Sequence, residues 1–412
     1  MSEVVAPGPL RTLAASTFVN NVGNGAFAAA AVVYLNRVVG LPAASIGLGL
    51  TVAAVGGLLA SVPAGMLADR TDPARAAGLL AVAAGVVSAA FAVVDNAWAF
   101  VVVATAFALC ERASVVGRQT LVGTTFTGAE RTSARAVLRS VSNVGAALGT
   151  GVAALVLTLD SAPAFRLLFG LNALTFVLAG ILLLRVRRAA PAVMPVPPPG
   201  EAVATRSASP SVLRDHAYAV MSVVNALLTI HVVVLDVVLP LWVVNRTDAP
   251  TAAVAALFLA NTVLVVLLQL PVSRRFETLT TAIPGLRVAA ALVVAMFLLL
   301  ALSSTTSAWV TVVVLALVVA AQTGAEMVQG ATSWPISYDL APPERIGEYQ
   351  GFFGVAEQVV QIIGPAALTL VVVTWDGPGP LVLAGAFAVL ALVAPAMAQR
   401  LVPRRTAHLA EV

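Results

Sequence analysis

The chain has 412 residues, of which 60% are hydrophobic and 10% are charged, and its formal net charge is +4. A water-soluble chain carries about 25% charged residues, so this composition excludes an ordinary soluble enzyme, and so small a positive charge does not suggest nucleic-acid binding. The single cysteine, Cys110, excludes an intramolecular disulfide and a thiol-rich metal site.

The apolar residues form many runs of about 20, and a helix of that length crosses the roughly 30 Å hydrocarbon layer of a bilayer. Inside that layer each backbone N–H and C=O needs an internal partner, so only helices or a closed barrel can span it. The runs are continuous stretches of Ala, Val and Leu rather than alternating segments, which favours helices. We therefore predict twelve transmembrane helices, in chain order at residues 12–36, 43–67, 74–94, 98–119, 134–159, 164–186, 216–244, 250–273, 284–304, 308–331, 348–374 and 379–401.

A proline-rich segment separates the sixth predicted helix from the seventh. Residues 187–213 contain six prolines, which prevent a continuous helix and predict an extended, solvated linker. The predicted architecture is an all-α membrane protein with an N-terminal six-helix bundle (1–186), a cytoplasmic linker (187–213) and a C-terminal six-helix bundle (214–412).

The placement of arginine predicts the orientation in the membrane. All 23 basic residues are arginines. If both termini and the linker lie on the cytoplasmic side, 18 of the 23 arginines lie on that side, three lie outside and two lie within the fourth helix. An error of one helix would scatter this bias, so it supports twelve spans as well as the orientation. The first nine residues lack the pattern of a cleavable signal peptide, so we expect the first helix to be retained.

Two dipeptides recur at similar offsets in the two halves. Glu130-Arg131 before the fifth predicted helix returns as Glu344-Arg345 before the eleventh. Asn36-Arg37 after the first helix returns as Asn245-Arg246 after the seventh. Both repeats fall where a duplicated six-helix unit would place them, and halves related in this way are a common transporter architecture.

The segment after the second predicted helix combines a glycine, an aspartate and basic residues. It reads Gly65-Met66-Leu67-Ala68-Asp69-Arg70-Thr71-Asp72-Pro73-Ala74-Arg75. Gly65 permits close helix approach, Asp69 can accept hydrogen bonds or face a positive helix N-terminus, and the arginines anchor a loop at the inner surface. An ordinary cytoplasmic loop is the alternative interpretation.

This segment resembles the loop-two motif of the major facilitator superfamily, although Asp72 replaces the glycine that usually follows the basic residue. The resemblance implies the major facilitator fold and a secondary transporter. It also implies that Gly65, Asp69, Arg70 and Arg75 belong to a cytoplasmic latch, in which Asp69 helps to hold the two halves in an outward-facing state.

The fourth predicted helix carries Glu111, Arg112 and Arg118 within an apolar run. Charges at such depth are costly and indicate function by default. Arg112 is similar in place to a fourth-helix arginine that is implicated in proton coupling in drug/proton antiporters of the superfamily, although the glutamine of that signature is missing here. Arg118 lies nearer the cytoplasm and could instead pair with Asp69. A structural ion pair is the alternative for these charges.

Three further acids lie within apolar runs of the second half: Glu357 near the midplane of the eleventh helix, Glu326 on the tenth and Asp236 on the seventh. Because shielding from water favours the neutral acid, such groups can exchange protons near neutral pH, as a proton-coupled antiporter requires. The alternative for each acid is a gate or a structural pair. Our candidates for proton coupling or for the substrate cavity are Glu357, Glu111, Arg112, Glu326, Asp236 and Gln361, the last on the same helical stripe as Glu357.

The fifth helix has Gly145 and Gly149 four residues apart, a spacing that favours tight helix packing. This spacing partly resembles the fifth-helix signature of exporters, but it lacks the proline. With the run Arg139-Ser140-Val141-Ser142-Asn143-Val144-Gly145 and with Gln350-Gly351, the chain is similar to bacterial multidrug and antibiotic exporters of the superfamily.

The resemblance implies a proton-coupled efflux antiporter for a small amphipathic molecule or drug, working by alternating access in the plasma membrane. An uptake permease for a sugar, peptide or metabolite is the first alternative, and a membrane-embedded enzyme or sensor the second. We expect no catalytic activity, no cofactor, no metal and no use of ATP, because the sequence contains no nucleotide-binding loop, metal cluster or nucleophile elbow. The expected partners are a small-molecule substrate, protons and the lipid bilayer, and the expected state is a monomer.

Overall fold

The computed structural model describes residues 8–159, 161–186, 211–247, 249–250, 252–375 and 378–411. Within these ranges the regular structure is helical throughout and contains no strand, as predicted. Most of the predicted linker, residues 187–210, lies outside the described residues. Its last residues belong to a short 3₁₀ turn, Val212–Arg214.

Six long helices make up the N-terminal part of the chain. They are α1 (Gly8–Arg37), α2 (Ala43–Arg70), α3 (Pro73–Ala89), α4 (Ala97–Thr125), α5 (Gly128–Leu159) and α6 (Ala162–Leu184). The C-terminal helices are α7 (His216–Leu228), which continues through the short Ile230–Val233, then α8 (Leu239–Arg246), α9 (Ala252–Ser273), α10 (Leu279–Ser303), α11 (Ala308–Asp339), α12 (Ile346–Leu368) and α13 (Pro378–Glu411).

Ten helical stretches among the described residues are long and apolar enough to cross a membrane. They coincide with ten of the twelve predicted spans, with α7, α8 and the residues that link them forming one stretch, His216–Val243. The eighth and twelfth predicted spans fall on shorter apolar segments, Ala256–Gln269 and Pro378–Ala394. A multi-pass membrane protein is therefore confirmed, whereas the count of twelve crossings stays a prediction.

The helices group into two compact units. Among the described residues, the first unit contains everything up to residue 186 together with Pro343–Gly351, and the second contains residues 211–342 and 352–411. In the first unit α1 packs on α5 and α6, α2 packs on α4, and α3 packs on both α4 and α6. In the second unit α10 packs on α11 and α13, and α9 packs on α11. Helix α12 thus begins in the first unit and continues in the second.

Small residues allow the backbones of the first unit to approach closely. A Cβ atom on Gly149 of α5 would overlap the carbonyl oxygen of Val22 on α1, and one on Gly145 would lie 2.8 Å from the carbonyl oxygen of Phe18. The glycine pair predicted to pack tightly therefore contacts α1.

A π-turn interrupts the seventh predicted helix, for which we expected a continuous stretch over 216–244. The turn covers Val234–Val238 and includes Asp236. Pro240 follows it, and because proline has no N–H it cannot bond to the carbonyl of Asp236 four residues earlier. The wider turn accommodates this local loss of helical hydrogen bonding.

Several other helix ends differ from the prediction. The ninth predicted helix starts at Leu279 rather than 284, because Thr278 and Thr281 form a capping box. The tenth predicted helix continues from 331 to Asp339, because the polar Thr332 and Ser333 are buried inside the protein rather than exposed in a loop.

Two tryptophans occupy matching positions in the two halves. Trp98 is the second residue of α4 and Trp309 the second residue of α11, and their side chains are 82% and 83% exposed. Tryptophan is enriched at membrane–water interfaces. Both positions lie at helix ends that the arginine distribution predicts to face outside.

Candidate functional site

Asp69 bonds to the first turn of α12. Its Oδ1 accepts the backbone N–H of Gly347 at 2.6 Å, and its Oδ2 accepts the backbone N–H of Glu348 at 2.9 Å. The first N–H groups of a helix have no partner within the helix, and the helix dipole places partial positive charge there. A carboxylate is well suited to both features.

The same crossing brings two backbones together without side chains between them. A Cβ atom on Gly65 would overlap the carbonyl oxygen of Gly347, and one on Gly347 would overlap the carbonyl oxygen of Gly65. One turn away, a Cβ atom on Gly351 would overlap the carbonyl oxygen of Ser61. Ser61-xxx-Gly65 on α2 therefore faces Gly347-xxx-Gly351 on α12, and the small residues allow Asp69 to reach the helix terminus.

The predicted loop residues occupy other positions than expected. Asp69 and Arg70 belong to the last turn of α2, and the connection to α3 is only Thr71 and Asp72. This connection is short because the Asp72 side chain caps α3 by accepting the N–H of Ala74 at 2.9 Å. Arg70 and Arg75 are exposed. Sequence reasoning did not identify Gly347, and the Gly-xxx-Gly spacing at the start of α12 was the signal that could have done so.

The charges of α4 separate into two environments. Arg112 donates from Nε to the hydroxyl of Ser61 on α2 at 3.2 Å. Arg118 donates from Nη1 to Oδ1 of Asn20 on α1 at 3.0 Å, rather than to Asp69. The carboxylate of Glu111 interacts electrostatically with both arginines. Among the described residues it accepts no hydrogen bond.

Glu357 belongs to a hydrogen-bonded chain of side chains within the second unit. Asn225 of α7 donates from Nδ2 to Oε1 of Glu357 at 3.0 Å. Gln329 of α11 in turn donates from Nε2 to Oδ1 of Asn225 at 3.0 Å. Glu357 is half-buried, whereas Asn225 and Gln329 are buried. Three helices thus contribute to one polar cluster inside an apolar unit.

Glu326 belongs to a second polar cluster of the same unit. Asn261 of α9 donates from Nδ2 to the Gln322 Oε1 and to the Thr323 hydroxyl, both at 3.0 Å. The Glu326 Oε2 lies 3.5 Å from the same Nδ2 and 3.4 Å from Nε2 of Gln322. His231 of the seventh stretch is in contact with Gln322 at 3.5 Å. Asn261, which lies beside Thr262 in an otherwise apolar stretch of α9, was missed in the sequence.

The remaining two candidates are exposed. The carboxylate of Asp236 interacts electrostatically with that of Glu326. The Asp236 side chain is exposed at the π-turn. Gln361 is exposed as well and makes no hydrogen bond among the described residues. Glu357 therefore belongs to a cluster with Asn225, Glu326 to a cluster with Asn261 and Gln322, and Gln361 to neither. The described residues include no group of three or more His, Cys, Asp or Glu side chains placed to hold a metal ion.

The family model described as Major Facilitator Superfamily matches residues 13–365, which is most of the chain. The chain belongs to the Major Facilitator Superfamily. It is accordingly a membrane transporter, and members of this superfamily bind small-molecule substrates.

Solved structures of superfamily transporters share the fold. A bacterial homologue of the iron transporter ferroportin, in an outward-facing state, has a TM-score of 0.72 at 16% identity, with 96% of this chain and 100% of that chain covered. A proton:xylose symporter has a TM-score of 0.65 at 14% identity, covering 93% and 94%. The human organic anion transporter MFSD10 has 0.61 at 15% identity, covering 95% and 100%. No curated protein matches the chain. At these identities the likeness concerns the fold alone.

Proposed function

We propose that this protein is a proton-coupled antiporter that exports a small amphipathic molecule from the cytoplasm by alternating access. The proposal places it in the plasma membrane as a monomer with both termini cytoplasmic, and it needs no ATP because the proton gradient supplies the driving force. The observation that carries the proposal is the carboxylate of Glu357, half-buried within a membrane-spanning helix and hydrogen-bonded by Asn225 at 3.0 Å.

The surroundings of Glu357 suit a group that gains and loses a proton. An isolated carboxylate in an apolar medium is costly, whereas the neutral acid is tolerated. The amide of Asn225 can donate to either form of the acid, so the cluster persists through both protonation states. Glu357 then takes up a proton from outside and releases it when the substrate binds. Because the proton and the substrate bind in turn rather than together, they are exchanged across the membrane.

Glu326 and Asp236 contribute two negative charges to a second region, and these favour the binding of a positively charged group. Their charges act on each other, and the amides of Asn261 and Gln322 lie within hydrogen-bond range of Glu326. We propose that this pair lines the substrate path and attracts a cationic group. Glu111 and Arg112 on α4 remain proposed contributors to coupling on the first unit.

The contact of Asp69 with the start of α12 supports a cytoplasmic latch. Helix α12 begins in the first unit and continues in the second, so a bond at its first turn can restrain the chain at that junction. We propose that the two hydrogen bonds to Asp69 form in one transport state and break in another. Gly65 is part of this latch because it allows the approach, while Arg70 and Arg75 hold the α2–α3 connection at the inner surface.

An uptake permease for a sugar, peptide or metabolite is the second candidate. It uses the same fold and differs in the direction of coupled movement. Flux in proteoliposomes separates the two: an imposed inward proton gradient drives antiported substrate out of the compartment, whereas it drives symported substrate in.

The experiment measures proton-gradient-driven flux of cationic dyes and antibiotics in proteoliposomes, together with substrate-evoked proton movement. Glu357→Gln keeps an oxygen acceptor for Asn225 but cannot carry a proton. We expect it to abolish proton-driven net flux while preserving substrate counterflow. Glu277→Gln, the same change in the connection between α9 and α10, is the matched control and should behave as the unmodified protein. Normal proton-driven flux by Glu357→Gln would remove Glu357 from the mechanism.

A further inference from the structure

Arg118 uses a small part of its hydrogen-bonding capacity within the protein. A guanidinium has five N–H donors and no acceptor. The described contacts of Arg118 are one hydrogen bond, from Nη1 to the Asn20 Oδ1 at 3.0 Å, and the charge interaction with Glu111. Arg118 is half-buried, and its other N–H donors make no hydrogen bond among the described residues.

Asn20 adds a donor that no protein group satisfies. Its side chain is 2% exposed, and among the described residues its Nδ2 has no hydrogen-bond partner. Leaving a buried amide donor without a partner is energetically unfavourable. Because Oδ1 of the same amide accepts from Arg118, the Nδ2 donor lies beside the guanidinium.

Glu111 is the acid whose charge acts on Arg118, and it also acts on Arg112. The Glu111 carboxylate is therefore shared between two guanidinium groups of the same helix. Side chains of an α-helix tilt toward its N-terminus, so Arg118 extends toward the level of Glu111, which lies two turns earlier.

We propose that Arg118 and the Nδ2 group of Asn20 form a binding site for the carboxylate of a small organic molecule within the first unit. The guanidinium supplies planar paired donors that match a carboxylate, and Asn20 supplies a further donor. Glu111 is the internal anion that weakens binding by acting on the same guanidinium. The site deepens the proposed function, since the exported molecule would carry a carboxylate in addition to the cationic group that Glu326 and Asp236 attract.

Three probes of the same ring and different charge test the site: benzoate, benzamide and benzylamine. Binding to the purified full-length protein is measured by isothermal titration and by the shift in thermal unfolding. We expect a saturable response to benzoate that Arg118→Gln removes, and none to benzamide. A response to benzylamine would come from Glu326 and Asp236 and should be the same in Arg118→Gln. Equal responses to the three probes would show partitioning into apolar surface and would overturn the proposal.

Asn20→Asp is the sharpest variant, because it keeps the size of the side chain and an oxygen that accepts from Arg118. It also provides a permanent carboxylate at the site and removes the Nδ2 donor. We expect benzoate affinity to fall about tenfold or more, as for loss of a charge-assisted contact. Asn21→Asp is the matched control, since the neighbouring amide donates to Thr17 of its own helix, and it should retain benzoate affinity.

Glu111→Gln gives a test in the opposite direction, because it removes the competing anion and should strengthen benzoate binding by about tenfold. Arg118→Gln should abolish it. Unchanged benzoate affinity in Asn20→Asp, or weaker binding in Glu111→Gln, would refute the site. Binding without proton-linked flux would refute the proposed function alone, and proton-linked dye export without selective benzoate binding would refute this inference alone.

Discussion

Arg112 and Ser61 connect α4 to the crossing of α2 with α12. The Nε atom of Arg112 donates to the Ser61 hydroxyl at 3.2 Å, and the carbonyl of Ser61 lies against Gly351. An arginine considered for proton coupling from its position in the sequence therefore also contacts α2, the helix that carries the proposed latch residues Gly65 and Asp69.

A double-mutant cycle tests this contact. Ser61→Ala and Arg112→Gln each remove one side of the contact, so their effects on the free energy of unfolding should not add. We expect a coupling energy of about 0.5–3 kcal/mol, measured by thermal or denaturant unfolding in detergent. Additive effects would show that the two side chains do not interact in solution.

Asp69→Asn should weaken the latch. One acceptor of the carboxylate becomes an amide donor that faces a backbone N–H, and the charge that favours the helix N-terminus is lost. Hydrogen bonds to charged groups contribute about 1.5–3 kcal/mol, so the latched state should lose about tenfold or more in population. Flux in proteoliposomes should fall while expression and membrane insertion persist.

Asp72→Asn is the matched control for that experiment. It makes the same change three residues later, but asparagine caps a helix about as well as aspartate, so α3 should remain capped and transport should be preserved. Normal transport by Asp69→Asn would refute the latch, and equal loss in both variants would indicate a general charge effect at the inner surface.

Gly65→Ala should force α2 and α12 apart. The added methyl group would overlap the Gly347 carbonyl oxygen, and overpacking of this kind costs about 1–3 kcal/mol. We expect a lower unfolding temperature and reduced transport. Gly151→Ala places the same methyl group in open space on α5 and should leave both measurements unchanged. A neutral Gly65→Ala would show that the approach is not required.

Cysteine labelling tests the predicted orientation. In a Cys110→Ala background, Thr71→Cys and Asp95→Cys place single exposed thiols near opposite ends of the third predicted span. A membrane-impermeant maleimide added to intact cells should label position 95 and not position 71, because the predicted orientation places the arginine-rich connections in the cytoplasm. The reverse pattern would invert the assigned topology.

Hydropathy and arginine placement in the sequence were sufficient to predict an all-helical membrane protein. Long apolar runs have only helical solutions in lipid, and this physics acts locally along the chain. Helix ends were less accessible, since the capping box at Thr278 and the buried Thr332 and Ser333 depend on neighbours. The interruption around Asp236 could be anticipated from Pro240 alone, but the form of the turn could not.

The sequence by itself determined that Asp69, Glu111, Arg118 and Glu357 are charges in unusual places. Only the tertiary structure decided their partners: the N-terminus of α12 for Asp69, Asn225 for Glu357 and Asn20 for Arg118. The physical reason is distance along the chain. Hydropathy is a property of neighbouring residues, whereas each of these contacts joins residues about a hundred or more positions apart, and only helix packing brings them within hydrogen-bonding range.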